Sequence, residues 1–86
     1  MTEPIPQADA RVVVVTKPGC HLCADAVAAV SQVCTSEGVT WAQVDASDQP
    51  ELADAYYYDI PVIFVDGRRH DYLRVDPERL RQALRA

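Results

Sequence analysis

Cys20 and Cys23 stand two residues apart in Cys20-His21-Leu22-Cys23, and no other segment of the 86-residue chain is as well equipped for covalent chemistry. On a helix, side chains at i and i+3 bring their Cβ atoms to about 5–6 Å, and modest adjustment reaches the geometry a disulfide requires. Such a pair opens and closes with little backbone motion. Position separates the two roles. Cys20 is expected to begin the helix, where unpaired backbone N–H groups and the helix dipole favour an anion. That environment draws a thiol pKa from roughly 8.5 toward neutrality. Cys23, one turn deeper, is expected to be the more shielded. Cys20 then attacks a substrate disulfide, a mixed disulfide forms, and Cys23 resolves it to release reduced product.

Two neighbours are candidates for tuning the thiolate. Lys17 lies three residues ahead of Cys20 and either adds positive charge there or stands in water as a loop lysine. His21 either steadies the thiolate and adjusts the redox potential or is exposed and incidental. The third cysteine, Cys34, is excluded from the pair. Eleven residues beyond Cys23 on one helix, it sits about 16 Å along the axis at ~1.5 Å per residue, and it is read as a core residue.

The elements that must position this pair are legible in outline. Residues 1–10, with Pro4 and Pro6, read as a flexible N-terminal arm, and residues 11–86 as a single domain. Val12-Val13-Val14-Val15, within Arg11 to Thr16, is a β-branched run suited to a strand buried on both faces. Pro18-Gly19 ends it. From Cys20 to about Ser36 the chain reads as a helix with Cys23, Val27, Val30 and Cys34 on one apolar stripe, closed by Gly38. Val39 to Val44 is a second strand, parallel to the first. Ser47 or Asp48 is expected to cap a short helix with Pro50 in its first turn and Leu52 and Tyr56 on one face. Pro61 to Val65 and Arg68 to Arg74 form a hairpin across Asp66-Gly67. Asp76-Pro77-Glu78 opens a last helix that buries Leu80, Ala83 and Leu84. The order is βαβ-α-ββα.

Composition narrows the function classes. Apolar residues at 49% and charged residues at 24% suit a folded globular chain. A net charge of −5 gives non-specific nucleic-acid binding no electrostatic support. Seven of the 8 basic residues are arginines, concentrated toward the C-terminus and read as a solvated helix face. No stretch approaches the roughly 18 apolar residues of a membrane span. The first ten residues lack the basic and apolar regions of a secretory signal. A cytoplasmic location is therefore expected, with the thiols reduced at rest. Three cysteines are too few, and odd in number, for a disulfide scaffold.

Val15-Thr16-Lys17-Pro18-Gly19-Cys20-His21-Leu22-Cys23 resembles the active-site segment of the glutaredoxin family. Ile60-Pro61-Val62-Ile63-Phe64-Val65-Asp66-Gly67 is similar to that family's second signature. Leu52, Tyr56 and Ile60-Pro61-Val62 fit the spacing of a glutaredoxin-like subgroup that carries Cys-His-Leu-Cys. The resemblance spans roughly residues 11–86. It implies an α/β thioredoxin-like fold, with a four-stranded mixed sheet flanked by three helices, and a thiol-disulfide oxidoreductase active in cell redox homeostasis without a cofactor. It also implies a cis Ile60–Pro61 bond facing the cysteines, with the Ile60 backbone binding an extended substrate by strand addition. Leu22, Ile60, Pro61 and Asp76 are the substrate-contacting positions it suggests.

One departure bears on the partner. Glutathione-binding members carry a Gly-Gly-x-Asp segment after the fourth strand, whereas residues 69–76 here read Arg-His-Asp-Tyr-Leu-Arg-Val-Asp, with no glycine pair. Asp76 partly replaces that segment or serves only as a helix cap. Glutathione as the upstream reductant is therefore doubtful, and a disulfide-bearing protein or another low-molecular-weight thiol becomes the expected partner, with neither nucleic acid nor membrane involved. Two other readings stay open. Zinc or an iron–sulfur cluster would need more ligands than Cys20 and Cys23 supply, with His21 and His70 the remaining candidates, so no metal is expected in one chain and a site shared across a dimer is the form that stays open. Tyr56, Tyr57 and Tyr58 suit a non-catalytic binding module.

Overall fold

The computed structural model describes residues 3–86; Met1 and Thr2, the start of the expected arm, lie outside the described residues. The chain forms β1 (Val12–Thr16), α1 (His21–Glu37), β2 (Trp41–Asp45), a 3-10 turn (Ala46–Asp48), α2 (Pro50–Tyr56), β3 (Val62–Val65), β4 (Arg68–Tyr72) and α3 (Pro77–Arg85). The strands lie side by side in the order β2-β1-β3-β4. β1 runs parallel to β2 and antiparallel to β3, and β3 pairs antiparallel with β4. This is the expected mixed four-stranded sheet flanked by three helices.

The four valines of β1 explain why the sheet is covered on both sides. Side chains alternate between faces along a strand. Val12 and Val14 accordingly pack with Val30, Val33, Leu80 and Leu84 of α1 and α3. Val13 and Val15 pack with Leu52, Tyr56 and Phe64 on the α2 side. Cys23 belongs to this second cluster, so the start of α1 reaches over the sheet's end toward α2. Fully burying a valine or leucine side chain contributes about 1.5–3 kcal/mol, and β1 supplies four such residues in succession.

Several boundaries differ from the sequence expectations, each for a local reason. The buried face of α1 is Cys23, Ala26, Val30, Val33 and Cys34. Val27 is only partly buried against the same cluster in which Val33 is fully buried. β2 starts at Trp41, not Val39, because the Val39 N–H still bonds the Cys34 carbonyl at 2.9 Å in the turn that closes α1. Gly38, at φ +68, makes that turn, as its freedom in the left-handed region predicts. Neither Ser47 nor Asp48 caps α2. Gln49 holds the cap position without a side-chain bond, and Asp45 instead caps the 3-10 turn through the Ser47 N–H. β3 starts at Val62, since Pro61 has no N–H to donate. β4 ends at Tyr72, where Leu73 turns to φ +65 and its N–H meets the carbonyls of Pro61 at 2.7 Å and Asp59 at 3.2 Å.

The Asp66-Gly67 hairpin and the Asp76-Pro77 helix start form as expected. The C-terminal arginines are not merely solvated: Arg85 forks onto Glu37 at 2.8 and 2.9 Å and ties α3 to α1. Residues 3–10 form no helix or strand. They run along the domain, with Pro6 buried and the Tyr56 hydroxyl donating to the Pro4 carbonyl at 2.7 Å.

Candidate active site

The site is assembled where β1 turns into α1. Lys17-Pro18-Gly19 makes the turn, and Gly19 at φ +71 supplies a left-handed conformation that a side chain would strain. Cys20 follows in extended conformation as the N-cap of α1, half-buried, and its Sγ accepts the Cys23 N–H at 3.2 Å. A serine or aspartate oxygen ordinarily fills this role; here a sulfur does. The same helix start that aims an unpaired N–H at Cys20 places Cys23 one turn along and 6% exposed. Both thiols are free.

Burial, and then the hydrogen bond with Cys20, pushes the Cys23 thiol up to about 11, against weaker downward pulls from the backbone and charge of Lys17. The two sulfurs therefore occupy unequal surroundings, one at the helix mouth and one beneath it. Cys34 is fully buried among α1, α3 and the sheet, where burial raises its thiol as well. Among the described residues, no three His, Cys, Asp or Glu side chains gather where they could hold a metal ion. Among the same residues, no helix is long and apolar enough to cross a membrane.

The Ile60–Pro61 bond is cis and both residues are buried. Ile60 shares an apolar cluster with Cys23, and Cys20 packs against it. The Ile60 N–H is already bonded to the Tyr56 carbonyl at 3.1 Å, so a strand-like contact at this residue falls to its carbonyl. Lys17 directs its ammonium to the Tyr57 carbonyl at 2.8 Å and lies over that ring at 3.9 Å. It thereby links the turn before Cys20 to the end of α2. His21 is exposed at the first position of α1, and Leu22 is half-buried. Asp76 caps α3, with Oδ1 accepting from Glu78 at 3.0 Å and Arg79 at 3.2 Å. Tyr56 is buried, edge-on to Phe64, whereas Tyr57 and Tyr58 are exposed.

A groove of about 660 Å³ opens beside the pair and includes Cys20, Cys23 and Lys17 in its walls. Ile60, Pro61 and Asp76 lie outside it. Its far wall is Trp41, Gln43 and Asp45 of β2, none of which the sequence reading singled out. Period-two alternation places these three side chains on one face of β2. Only the packing of α1 shows that this face looks toward the cysteines.

The profile of the glutaredoxin-like domain (DUF836) matches residues 11–85. The structure of target protein XcR50 from X. campestris superposes with a TM-score of 0.69 at 31% identity, covering 86% of this chain and 95% of that one. Uncharacterized protein Rv0508 of Mycobacterium tuberculosis is 28% identical over 76 residues, 83% of this chain and 78% of its own length. Wheat glutaredoxin shares the fold, with a TM-score of 0.53 at 24% identity over 77% of this chain and 65% of that one.

Proposed function

The chain belongs to the glutaredoxin-like domain family, and on that premise we propose that it is a thiol-disulfide oxidoreductase working through Cys20 and Cys23. Within the family we place it among the members that carry Cys-His-Leu-Cys. The observation that carries the reading is the Cys20 Sγ accepting the Cys23 N–H at 3.2 Å at the mouth of α1, with Cys23 buried below. A hydrogen bond to an ionised acceptor is roughly twice as strong as one to a neutral acceptor. The position at the helix mouth, above the buried Cys23, therefore suits Cys20 to the attacking role and Cys23 to the resolving one.

In the first step the Cys20 thiolate attacks one sulfur of a disulfide R–S–S–R′. A Cys20–S–S–R bond forms, the S–R′ bond to that sulfur breaks, and R′S⁻ leaves and takes a proton from water. Cys23 then gives up its proton and attacks Cys20 Sγ. The Cys20–Cys23 disulfide forms and RS⁻ leaves. Two electrons and two protons pass from the pair to the substrate, and a thiol or dithiol reductant must return them. Substrate binding is assigned to Leu22, the Ile60 carbonyl and Pro61, with Lys17 and His21 adjusting the thiolate.

Glutathione fits this chain poorly as the partner. Residues 69–76 contain no glycine pair, and Asp76 Oδ1 is occupied by two helix amides. A disulfide-bearing protein or another low-molecular-weight thiol is the better match, in the reducing cytoplasm. The test is trapping: Cys23→Ser expressed in its own host should retain a partner on Cys20, releasable by dithiothreitol and identified by mass spectrometry. Recovery of Cys23→Ser with Cys20 always unmodified, and no turnover of any disulfide by the unaltered protein, refutes the reading. The exposure of Tyr57 (52%) and Tyr58 (88%) favours a second reading, a non-catalytic binding module. On that reading Cys20→Ser keeps its partners.

A further inference from the structure

The groove beside the cysteines has a sulfur end and an aromatic end. β1 leads into α1 through the Lys17-Pro18-Gly19 turn, so α1 returns antiparallel to β1 and to its parallel neighbour β2. In the β1–β2 register Thr16 stands beside Asp45 and Val12 beside Trp41. Asp45 therefore lies where α1 begins, with Cys20 and Cys23, and Trp41 lies at the opposite end, half-buried against the cluster of Val30 and Val33. The two walls run for the same length. From Asp45 to Trp41 the strand covers about 13 Å at ~3.3 Å per residue. From Cys23 to Ser31, the last α1 residue in the wall, the helix covers about 12 Å at ~1.5 Å per residue.

The chemistry of the walls changes along that line. Lys17 and Asp45, the ionic groups of the lining, carry opposite charges and both stand at the sulfur end. Beyond them the walls are uncharged. Ala24 and Ala28 present no more than methyl groups, and Ser31 closes the α1 wall with a hydroxyl. Opposite them, Gln43 donates its N–H₂ to Thr16 Oγ1 at 3.2 Å, which leaves its side-chain carbonyl to accept. Trp41 offers an aromatic ring at the far end. About 660 Å³ falls within the range of small-molecule sites, roughly 300–1,000 Å³. A matching ligand has sulfur at one end, an uncharged chain with amide N–H groups, and an apolar group at the other. An extended amide chain advances at most about 3.3–3.6 Å for every three backbone bonds, so that group stands about ten bonds from sulfur.

We infer that this groove is a subsite for the arm of a low-molecular-weight disulfide: an uncharged amide chain about ten bonds long, ending in a branched apolar group on Trp41, the chemistry of a pantetheine thiol. This deepens the oxidoreductase reading and rests on it. The reduced pair gives two electrons and two protons to R–S–S–R. Cys20 sulfur bonds one substrate sulfur and the other half leaves as RSH; Cys23 then displaces the bound half as a second RSH while the Cys20–Cys23 disulfide forms.

The test uses three uncharged disulfides that are identical next to sulfur and differ in arm length: N,N′-diacetylcystamine, N,N′-bis(N-acetyl-β-alanyl)cystamine and pantethine. Each oxidises the reduced protein in a single turnover, and each rate is divided by that compound's rate with 2-mercaptoethanol. Rates should rise in that order, roughly tenfold between the ends, with at least threefold gained in the last step, which adds the apolar end. Ala28→Leu, which fills the middle of the groove from an exposed helix position, should lower the pantethine-to-diacetylcystamine ratio at least threefold. Gln32→Leu, which adds the same side chain at an exposed α1 position outside the groove, should leave that ratio within twofold. Equal rates for the three compounds, an unchanged ratio in Ala28→Leu, or an equal fall in Gln32→Leu overturns the subsite. Coenzyme A disulfide prolongs the same arm with a nucleotide and separates the two sources of this chemistry. A rate at or above that of pantethine supports the subsite with the nucleotide-bearing form as its ligand, and a lower rate supports it with the free arm. If no compound oxidises the pair, the redox reading is what fails, and the subsite is then read from Trp41, the single tryptophan. Its fluorescence should change saturably with pantethine in Cys20→Ser. No saturable change, or the same change with N,N′-diacetylcystamine, overturns it.

Discussion

Replacing Cys20 by alanine should make Cys23 easier to ionise, although the two residues do different jobs. In the unaltered protein the Cys23 thiol stands at about 11 rather than its ordinary 9.0. At pH 7 this corresponds to about one thiolate in ten thousand molecules, roughly a hundredfold fewer than for an ordinary thiol. Burial is the largest cause, and the hydrogen bond and charge of Cys20 add to it. The substitution removes the second contribution and leaves the first, so Cys23 in Cys20→Ala should titrate below 11 but above 9.0. On the proposed mechanism the same change accompanies turnover, because Cys20 held in a mixed disulfide no longer presents a thiol or thiolate to Cys23. In that mechanism resolution is quickened only after the first step has occurred. The assay is the pH dependence of the cysteine Cβ signals by NMR in selectively labelled protein, which reads each thiol without modifying it. Titration of Cys23 at or below 9.0 in the unaltered protein, or an identical midpoint in Cys20→Ala, would refute this reasoning.

Three further outcomes follow from other parts of the molecule. Leu52→Ala removes a fully buried side chain joining α2 to the sheet and should cost about 2–4 kcal/mol in urea unfolding; a loss under 1 kcal/mol contradicts the packing described. Burial first, then the charge of Arg79, lowers the pKa of His70 from its ordinary 6.5. The unfolded chain therefore takes up a proton that the folded chain resists, so stability is complete above about pH 6.5 and falls on acidification. His70→Gln should flatten the unfolding midpoint between pH 7 and 5.5, and an unchanged slope refutes the assignment. Lys17→Met removes the tie to Tyr57 and a cation that pulls the Cys23 thiol down, so Cys23 should titrate higher in the same NMR experiment; a lower midpoint would show that Lys17 acts otherwise.

Much of this architecture follows from local chemistry. Four consecutive valines specify a strand covered on both faces, and Asp66-Gly67 supplies the two positive φ angles of the hairpin. Asp76-Pro77-Glu78 caps α3 by its own side chain. The local geometry of the cysteine pair is legible for the same reason, since Gly19, the Cys20 cap and the spacing to Cys23 all lie within five residues. Features that depend on distant packing were not legible. A helix of 17 residues offers more than one apolar stripe, and the tertiary packing buries Val33 while leaving Val27 only partly buried. Residues 46–48 are taken up in a 3-10 turn capped by Asp45, so the cap position of α2 falls to Gln49 rather than to Ser47 or Asp48. The cis state of Ile60–Pro61 was reached through family resemblance and not through the residues themselves. The engagement of Lys17 by Tyr57 joins residues forty positions apart, and no short-range signal marks it.

The central claim is that sulfur at residue 20 attacks and sulfur at residue 23 resolves. Its most direct test is a single turnover with 5,5′-dithiobis(2-nitrobenzoate), counting thionitrobenzoate released under native conditions and locating it on the protein by mass spectrometry. The unaltered chain should release two equivalents and end with a Cys20–Cys23 disulfide and a free Cys34. Cys23→Ser should release one equivalent and keep the second on residue 20. Cys20→Ser should react far more slowly. Stable attachment to Cys23 or Cys34, or two rapid equivalents from Cys23→Ser, would contradict the account.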